Sequence, residues 1–368
     1  MRFREHTDEW HKFALSDFVT RITRRNKNNE SSLPLTISAQ YGLVDQITFF
    51  NKTVASVDLS GYYLLYNGDF AYNKSYSNDY AWGAVKRLDR YDKGCLSSLY
   101  FVFRPTDKVN SDYLTHYFET SKWHKGISDI AGEGARNHGL LNIAVEDYFA
   151  TQHYLPSLPE QKKIANFLNL ITKRIEVQNK IIKEYKSYRN RILHTIYNDL
   201  NDFDYISLNQ LCSITTGKLD ANAMNPNGKY KFFTCAKEDY YIDKYSFEGE
   251  SLIISGNGEV GLIKYFNGKF DAYQRTYVLQ NFIKNPLYIK FALEIELPKK
   301  LHREKNVGAM PYIVLSTLTG IKVKIPNKEL ISKITLIVTS LDKKIAIEEQ
   351  ILNDYLLQKK YLLANMFI

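Results

Sequence analysis

Two long segments of the chain place apolar residues in alternating steps of three and four. In the first, Ile164, Leu168, Ile171, Ile175, Ile182, Tyr185, Ile192 and Ile196 share one stripe, and Gln178 and Arg189 fill its two gaps. In the second, Ile334, Val338, Leu341, Ile345, Leu352, Tyr355, Leu362 and Met366 do the same, with gaps at Glu348 and Lys359. That spacing keeps one face of an α-helix apolar. The segments are copies at a constant offset of 170 residues: Pro156 matches Pro326, Lys163-Ile164 matches Lys333-Ile334, Tyr185 matches Tyr355 and Leu193 matches Leu363. Each proline closes a β-like stretch, Leu155-Pro156 or Ile325-Pro326, and leaves room for a new helix. Heptads sustained over this length predict a coiled coil. A lone amphipathic helix packed on its own domain is the plainer alternative, but two matched helices in one chain favour pairing with each other.

Ahead of each helix the period changes. Tyr62–Tyr66, Leu99–Phe103, Ser251–Ser255 and Ala272–Gln280 are short runs rich in Tyr, Val, Ile and Phe, bounded by turn pairs such as Asn67-Gly68 and Asn267-Gly268, and they predict strands. A weaker repeat links them: Gly83-Ala84-Val85-Lys86 resembles Gly261-Leu262-Ile263-Lys264, and Gly68-Asp69-Phe70 resembles Gly249-Glu250-Ser251. The expected architecture is α+β: a β-rich domain over 1–155, a helix over 156–200, a second β-rich domain over 201–325 and a helix over 326–368.

Composition narrows the class. With 368 residues, 44% hydrophobic and 24% charged, the chain reads as an ordinary globular protein of two or three domains. No apolar stretch approaches a membrane span, and Met1–Trp10 lacks the apolar run of a signal peptide. Cys95, Cys212 and Cys235 make neither a disulfide framework nor a zinc spacing, so a reducing cytoplasm is expected. The net charge of +9 fits a polyanion partner. Residues 1–150 carry 18 basic and 18 acidic groups, whereas 151–200 carry 9 and 4, so much of the excess sits on the first helix, where a solvated helix face would also explain it. The 28 Tyr and 20 Phe suit recognition surfaces.

Catalytic chemistry is hard to find. Gly256-Asn257-Gly258-Glu259-Val260-Gly261 is a literal GxGxxG, but Leu262–Gly268 reads as strand and turn, not as the helix that would hold a pyrophosphate. A Gly-rich hairpin loop is the better reading. Asn285-Pro286-Leu287-Tyr288 resembles an adenine-methyltransferase motif but lacks its second proline, and reads as a turn. There is no P-loop, HExxH or nuclease-like carboxylate cluster, and His138 and His302 fall in polar loops. What remains suits DNA. The Arg24-Arg25-Asn26-Lys27 cluster and Tyr72-Asn73-Lys74 in the first domain, with Asn257, Gln274 and Arg275 in the second, are the types that reach phosphates and base edges.

This order of β-rich domain, proline, long helix, and the same again resembles the DNA specificity subunit of type I restriction–modification enzymes, over essentially the whole chain. Leu155-Pro156-Ser157-Leu158-Pro159-Glu160-Gln161-Lys162-Lys163-Ile164 is similar to the family's Pro-x-x-x-Glu-Gln start of its central helix. The run Gly132–Leu140 resembles the Gly/small/Arg segment before it. The second copy, Ile325-Pro326-Asn327-Lys328-Glu329-Leu330, lacks the glutamine. The resemblance implies a non-catalytic subunit with two target-recognition domains held apart by an antiparallel helix pair. Each domain would read one half of a split, asymmetric site on double-stranded DNA. Two methyltransferase subunits would dock on the helices and motor-nuclease (restriction) subunits would join them. S-adenosylmethionine, ATP and Mg would belong to those partners and no cofactor to this chain. A helix of this length spans roughly 60 Å, enough to set two readers about one DNA turn apart, roughly 34–36 Å. The rival readings are a fused or degenerate methyltransferase or nuclease, and a coiled-coil adaptor that binds proteins.

An antiparallel pair also has an expected register. Setting Ile171 against Met366, Ile175 against Leu362, Ile182 against Tyr355, Tyr185 against Leu352, Ile192 against Ile345 and Ile196 against Leu341 makes those layers apolar. It sets Arg189 against Glu348 and Gln178 against Lys359, so the polar breaks meet. A slip of one heptad would face Arg189 with Leu341, at a cost of a few kcal/mol if the charges are buried.

Overall fold

The computed structural model describes residues 1–52, 55–56, 58–77, 80–132, 139–304 and 312–368. The chain divides into two compact units, Met1–Asn179 with Gln350–Ile368, and Lys180–Glu349. Both long helices form as the heptads predict: a central helix Leu158–Asn198 and a C-terminal helix Lys328–Met366. Each helix gives one part of its length to each unit. Residues 133–138, which hold most of the Gly/small/Arg segment and His138, lie outside the described residues.

In the first unit, His11–Ala14 pairs antiparallel with Gln152–Leu155, the strand that runs into the central helix. Between these ends lie a four-stranded sheet and two separate two-stranded pairs, Leu35–Ser38 with Gly42–Asp45 and Tyr63–Tyr66 with Lys93–Leu96. The sheet runs Val19–Arg21, Phe101–Pro105, Phe70–Asn73 and Ala84–Arg87. Its core is aromatic: Tyr72 stacks on Tyr148 with centroids 4.6 Å apart, and Phe70 on Phe103 at 5.6 Å. A good part of the aromatic load therefore serves packing and not recognition. The first turns of the central helix and the last turn of the C-terminal helix close this core, with Ile164, Leu168, Ile171, Leu362, Met366 and Phe367 all buried.

The second unit repeats the plan. Asp204–Ser207 pairs antiparallel with Lys322–Ile325, the strand before the C-terminal helix. Its six-stranded sheet runs Ser213–Thr216, Thr276–Gln280, Phe247–Ser255, Ile263–Ala272, Tyr230–Phe233 and Tyr240–Ile242. The weak glycine repeat has a structural basis. The strand after Gly83 pairs with the strand after Gly68, and the strand after Gly261 pairs with the strand that contains Gly249. Leu193 and Tyr197 of the central helix pack with Ile331, Ile334 and Val338 of the C-terminal helix in this core.

Several local expectations are corrected. Asn267-Gly268 is no turn; it lies within Ile263–Ala272, where Gly268 faces Gly249 across the ladder. With no side chain on either partner, the ribbon passes through positive φ at both positions without ending. Ala272–Gln280 is broken by a tight turn, where Thr276 N donates to Tyr273 O at 2.8 Å. Asn285-Pro286 starts a helix, Pro286–Glu304. The Asn285 side chain caps it by accepting from Leu287 N and Tyr288 N, and proline takes the first helical position. That helix, and Ser111–Tyr117 and His124–Ile130 in the first unit, were not foreseen.

The register is corrected too. Within the second unit Arg189 is held by Asp342, at 2.8 Å, and by Glu294 of the Pro286–Glu304 helix, at 2.5 Å, in place of the expected Glu348. Tyr185 lies under the Lys344 ammonium, and within the first unit Arg174 lies over Tyr355. Each contact is six to eight positions from its expected partner, close to the one-heptad slip. Lys186–Glu349 falls nearer the expected register, but both side chains are long and about half exposed. A one-heptad slip is costly only where the displaced Arg189 faces apolar groups alone. Asp342, beside Leu341, and Glu294, from outside the helix pair, supply carboxylates that the heptad pattern does not contain. Burial works against the Arg189 charge, yet those hydrogen bonds hold its pKa above the usual value. Lys359 pairs with Glu119 at 2.9 Å, also outside the helix pair. Gln178 and Glu348 are both buried, and Glu348 takes Lys344 one turn earlier, at 2.6 Å.

Candidate nucleic-acid interface

The Arg24–Asn29 segment of the first domain is a built turn. Buried Asn26 donates to Ser31 O and accepts from Ser31 N, and Asn28 and Asn29 take left-handed conformations. Arg24 does not project freely. Its guanidinium bonds Asp69 at 2.9 Å and Leu64 O at 3.1 Å and lies over the Tyr66 ring. Asp69 is fully buried and also takes Arg104 at 2.6 Å. Arg25 donates to Gly61 O and covers the Tyr63 ring. Lys27 is exposed on the turn.

Tyr72 is removed from the list of DNA contacts. It has no exposed surface, and its hydroxyl donates to Trp82 O at 3.0 Å. The strand Phe70–Asn73 turns it inward against Tyr148, so its ring fills the core. Asn73 accepts from Ser75 N and so shapes a turn. Lys74 follows, with its ammonium over the edge of the core at Phe101, 5.3 Å from the ring centroid.

The second domain treats its three candidates differently. Asn257, Gln274 and Arg275 come together around one recess of about 330 Å³. Their placement follows from the glycine-rich segment, which is the hairpin loop between Phe247–Ser255 and Ile263–Ala272. Gly256 N donates to Arg275 O at 2.9 Å, and Cys235 Sγ to the same carbonyl at 3.3 Å. Gln274 N donates to Leu219 O and Ile313 N to Gly256 O. A side chain at Gly256 would place its Cβ 2.5 Å from Arg275 O, so only glycine allows this approach. The backbone is fixed on several sides, while the side chains of Asn257, Gln274 and Arg275 have no partner among the described residues. Sequence reasoning missed Tyr312, exposed at the rim, and Tyr277, whose hydroxyl bonds Ile313 O. Nothing in the local sequence ties Tyr312 to a loop some fifty residues earlier.

The first unit also holds a groove of about 730 Å³ beside the strand Ala84–Arg87, lined by Lys86, Glu119, Trp123 and Lys359. Burial pushes the Lys86 pKa down, partly offset by Glu119. Among the described residues no cluster of His, Cys, Asp and Glu could hold a metal ion. No helix is long and apolar enough to cross a membrane.

Residues 201–354 match the family described as the type I restriction modification DNA specificity domain. The match takes in the second β-rich domain and most of the C-terminal helix. The resemblance read from the helix repeat is thus met in the sequence of known proteins. The chain is 36% identical over 145 residues to the type I restriction enzyme EcoDI specificity subunit of Escherichia coli, covering 39% of this chain and 32% of that one. It is 28% identical over 203 residues to a putative type I specificity subunit of Mycoplasma pneumoniae, covering 51% of this chain and 80% of that one. The chain thus spans about a third of the first relative and most of the second. In fold the likeness is complete along the chain. The crystal structure of the type I restriction–modification S subunit from M. genitalium superposes with a TM-score of 0.62 at 18% identity, over 100% of this chain and 99% of that one. The α+β architecture with its repeated domain and helix is the specificity-subunit fold.

Proposed function

We propose that this chain is the non-catalytic DNA-reading subunit of a type I restriction–modification complex. On this reading it recognises a bipartite, asymmetric sequence in double-stranded DNA, with one half read by each β-rich domain. The observation that carries it is the specificity-domain match over 201–354, joined to a plan that occurs twice. In each unit a β-rich domain is closed by a strand pair immediately before a long helix. Different loops on one frame give different half-sites. The reading places methyltransferase subunits on the long helices and restriction subunits beyond them, with S-adenosylmethionine, ATP and Mg on those partners, in the cytoplasm. Large apolar side chains on the helices support docking. Leu170 and Leu357 are 60% and 57% exposed in the first unit, and Leu336 and Ile347 69% and 55% in the second. Side chains of that size, left in water along a helix, suit the apolar face of a partner helix.

The test is a domain exchange. Residues 201–325 are replaced by the same region of a relative, and the methylated motif is mapped in the host genome. One half of the motif changes and the other stays. A change in both halves, or in neither, defeats the two-reader model.

A further inference from the structure

We infer that the recess formed by Asn257, Gln274 and Arg275 reads the major-groove edge of a purine, with Arg275 as a guanine reader. This rests on the DNA-reading function proposed above and adds the chemical class of the ligand and the residue that selects it.

Three observations carry it. The first is the contrast between the domains. Arg24 and Arg25 are committed to Asp69, Leu64 O and Gly61 O, whereas Arg275 is exposed and its guanidinium has no hydrogen-bond or ionic partner among the described residues. A guanidinium left unsatisfied on a rigid rim retains its full donor fork for a ligand. The second is preorganisation. The Arg275 carbonyl is fixed by Gly256 N and Cys235 Sγ, and the neighbouring Gln274 backbone is tied to Leu219 O. Little entropy remains to be lost at the backbone when the side chain engages.

The third is the company Arg275 keeps. A phosphate site gathers several cations or a nest of backbone amides. Here, among the described residues, one cation stands with two carboxamides and two tyrosines, Tyr277 and Tyr312. Arginine matches the O6 and N7 acceptors of guanine with two parallel donors, and Asn or Gln matches N6 and N7 of adenine. The set is that of base-edge chemistry, with Tyr312 offering a ring face at the rim.

The experiment uses the chain assembled with its methyltransferase subunits. R275A and R275K are compared with the unmodified protein by methylation mapping and by binding of cognate and single-substituted duplexes over a salt series. R275A is expected to lose discrimination at one guanine-containing base pair, in the half assigned to the second domain, by about 5- to 150-fold. The other half and the salt slope stay as they were. R275K restores affinity but not the choice of base, since an ammonium lacks the fork. Uniform weakening with a shallower salt slope would make Arg275 a phosphate contact and overturn the inference. So would an unchanged motif. If R275A is silent while the exchange of 201–325 still switches one half-site, only this assignment falls. If the exchange itself changes nothing, the DNA-reading function falls with it.

Discussion

Asp69 shows how the fold can take up a residue suited by type to DNA, here Arg24. Asp69 is fully buried, accepts from Tyr66 N at 2.8 Å, and holds both Arg24 and Arg104. The two arginines remain about a third or more exposed, so water screens part of each pair. D69N keeps the shape and removes the charge, and we expect it to cost about 2 kcal/mol, read as a lower urea midpoint. R24A should lower stability in the same assay while leaving the salt slope of DNA binding unchanged. A shallower slope would return Arg24 to the list of phosphate contacts. His153 gives a pH-dependent counterpart. It is buried between the Tyr117 hydroxyl on Nδ1 and the Thr151 hydroxyl on Nε2, both at 2.8 Å. Burial pushes its pKa down to about 4. The unfolded chain takes up the proton near pH 6.5 and the folded chain only near 4, so this contribution is complete above about pH 6.5. It is lost as pH falls from there toward 4. Between pH 7.5 and 5 the native protein should lose about 2 kcal/mol more than H153Q. Equal losses in urea titrations would show that His153 does not titrate in this window.

At the scale of elements, the helices were legible and their partners were not. Heptad spacing marks both helices because burial of one face leaves a period in the sequence. Their starts were also marked. Gln161 Nε2 donates to Pro156 O and its Oε1 accepts from Asn110 N, while Glu160, fully buried, holds Arg2 at 2.6 Å. The Glu-Gln pair thus ties the helix start to two distant parts of the first unit. In the second copy, which lacks the glutamine, Asn327 caps the helix start by accepting from Leu330 N at 2.9 Å. Replacing Gln161 by Ala leaves Asn110 N and Pro156 O without those partners, at a cost of about 1–3 kcal/mol. Register was misread because a heptad lists only the positions that face the other helix. Asp342 sits on the flank of the stripe and Glu294 on a third helix, and together they satisfy Arg189. A double-mutant cycle between Arg189 and Asp342 should give a coupling of about 1 kcal/mol. It should exceed the coupling between Arg189 and Glu348, and the reverse order would restore the expected register. The recess in the second domain was half legible. Side-chain type picked out Asn257, Gln274 and Arg275, but their convergence with Tyr312 depends on backbone contacts between segments far apart in sequence.

At the scale of the whole molecule, the first unit is made from both ends of the chain. Residues 350–368 belong with Met1–Asn179, and Leu362, Met366 and Phe367 are each more than nine-tenths buried in that core. Phe367 meets Tyr113 at 5.3 Å and Tyr117 at 6.0 Å. The first domain therefore lacks part of its core until the last residues are present, a contact of very long sequence separation and slow to form. The second unit, Lys180–Glu349, is continuous in sequence and carries Leu193, Tyr197, Ile331, Ile334 and Val338 in its own core. A chain ending after Glu349 should separate the two. Losing three large buried side chains costs about 3–5 kcal/mol for the phenylalanine alone, against a domain stability of about 5–15 kcal/mol. Hydrogen exchange should show the amides of Phe70–Asn73 and Phe101–Pro105 losing protection, while those of Phe247–Ser255 and Thr276–Gln280 keep theirs. Because the specificity-domain match ends at residue 354, near this cut, such a chain would retain most of the matched region while losing the fold of the first unit. Equal loss of protection in both sheets would mean that the units fold as one, and the division of the chain into two independent cores would be wrong.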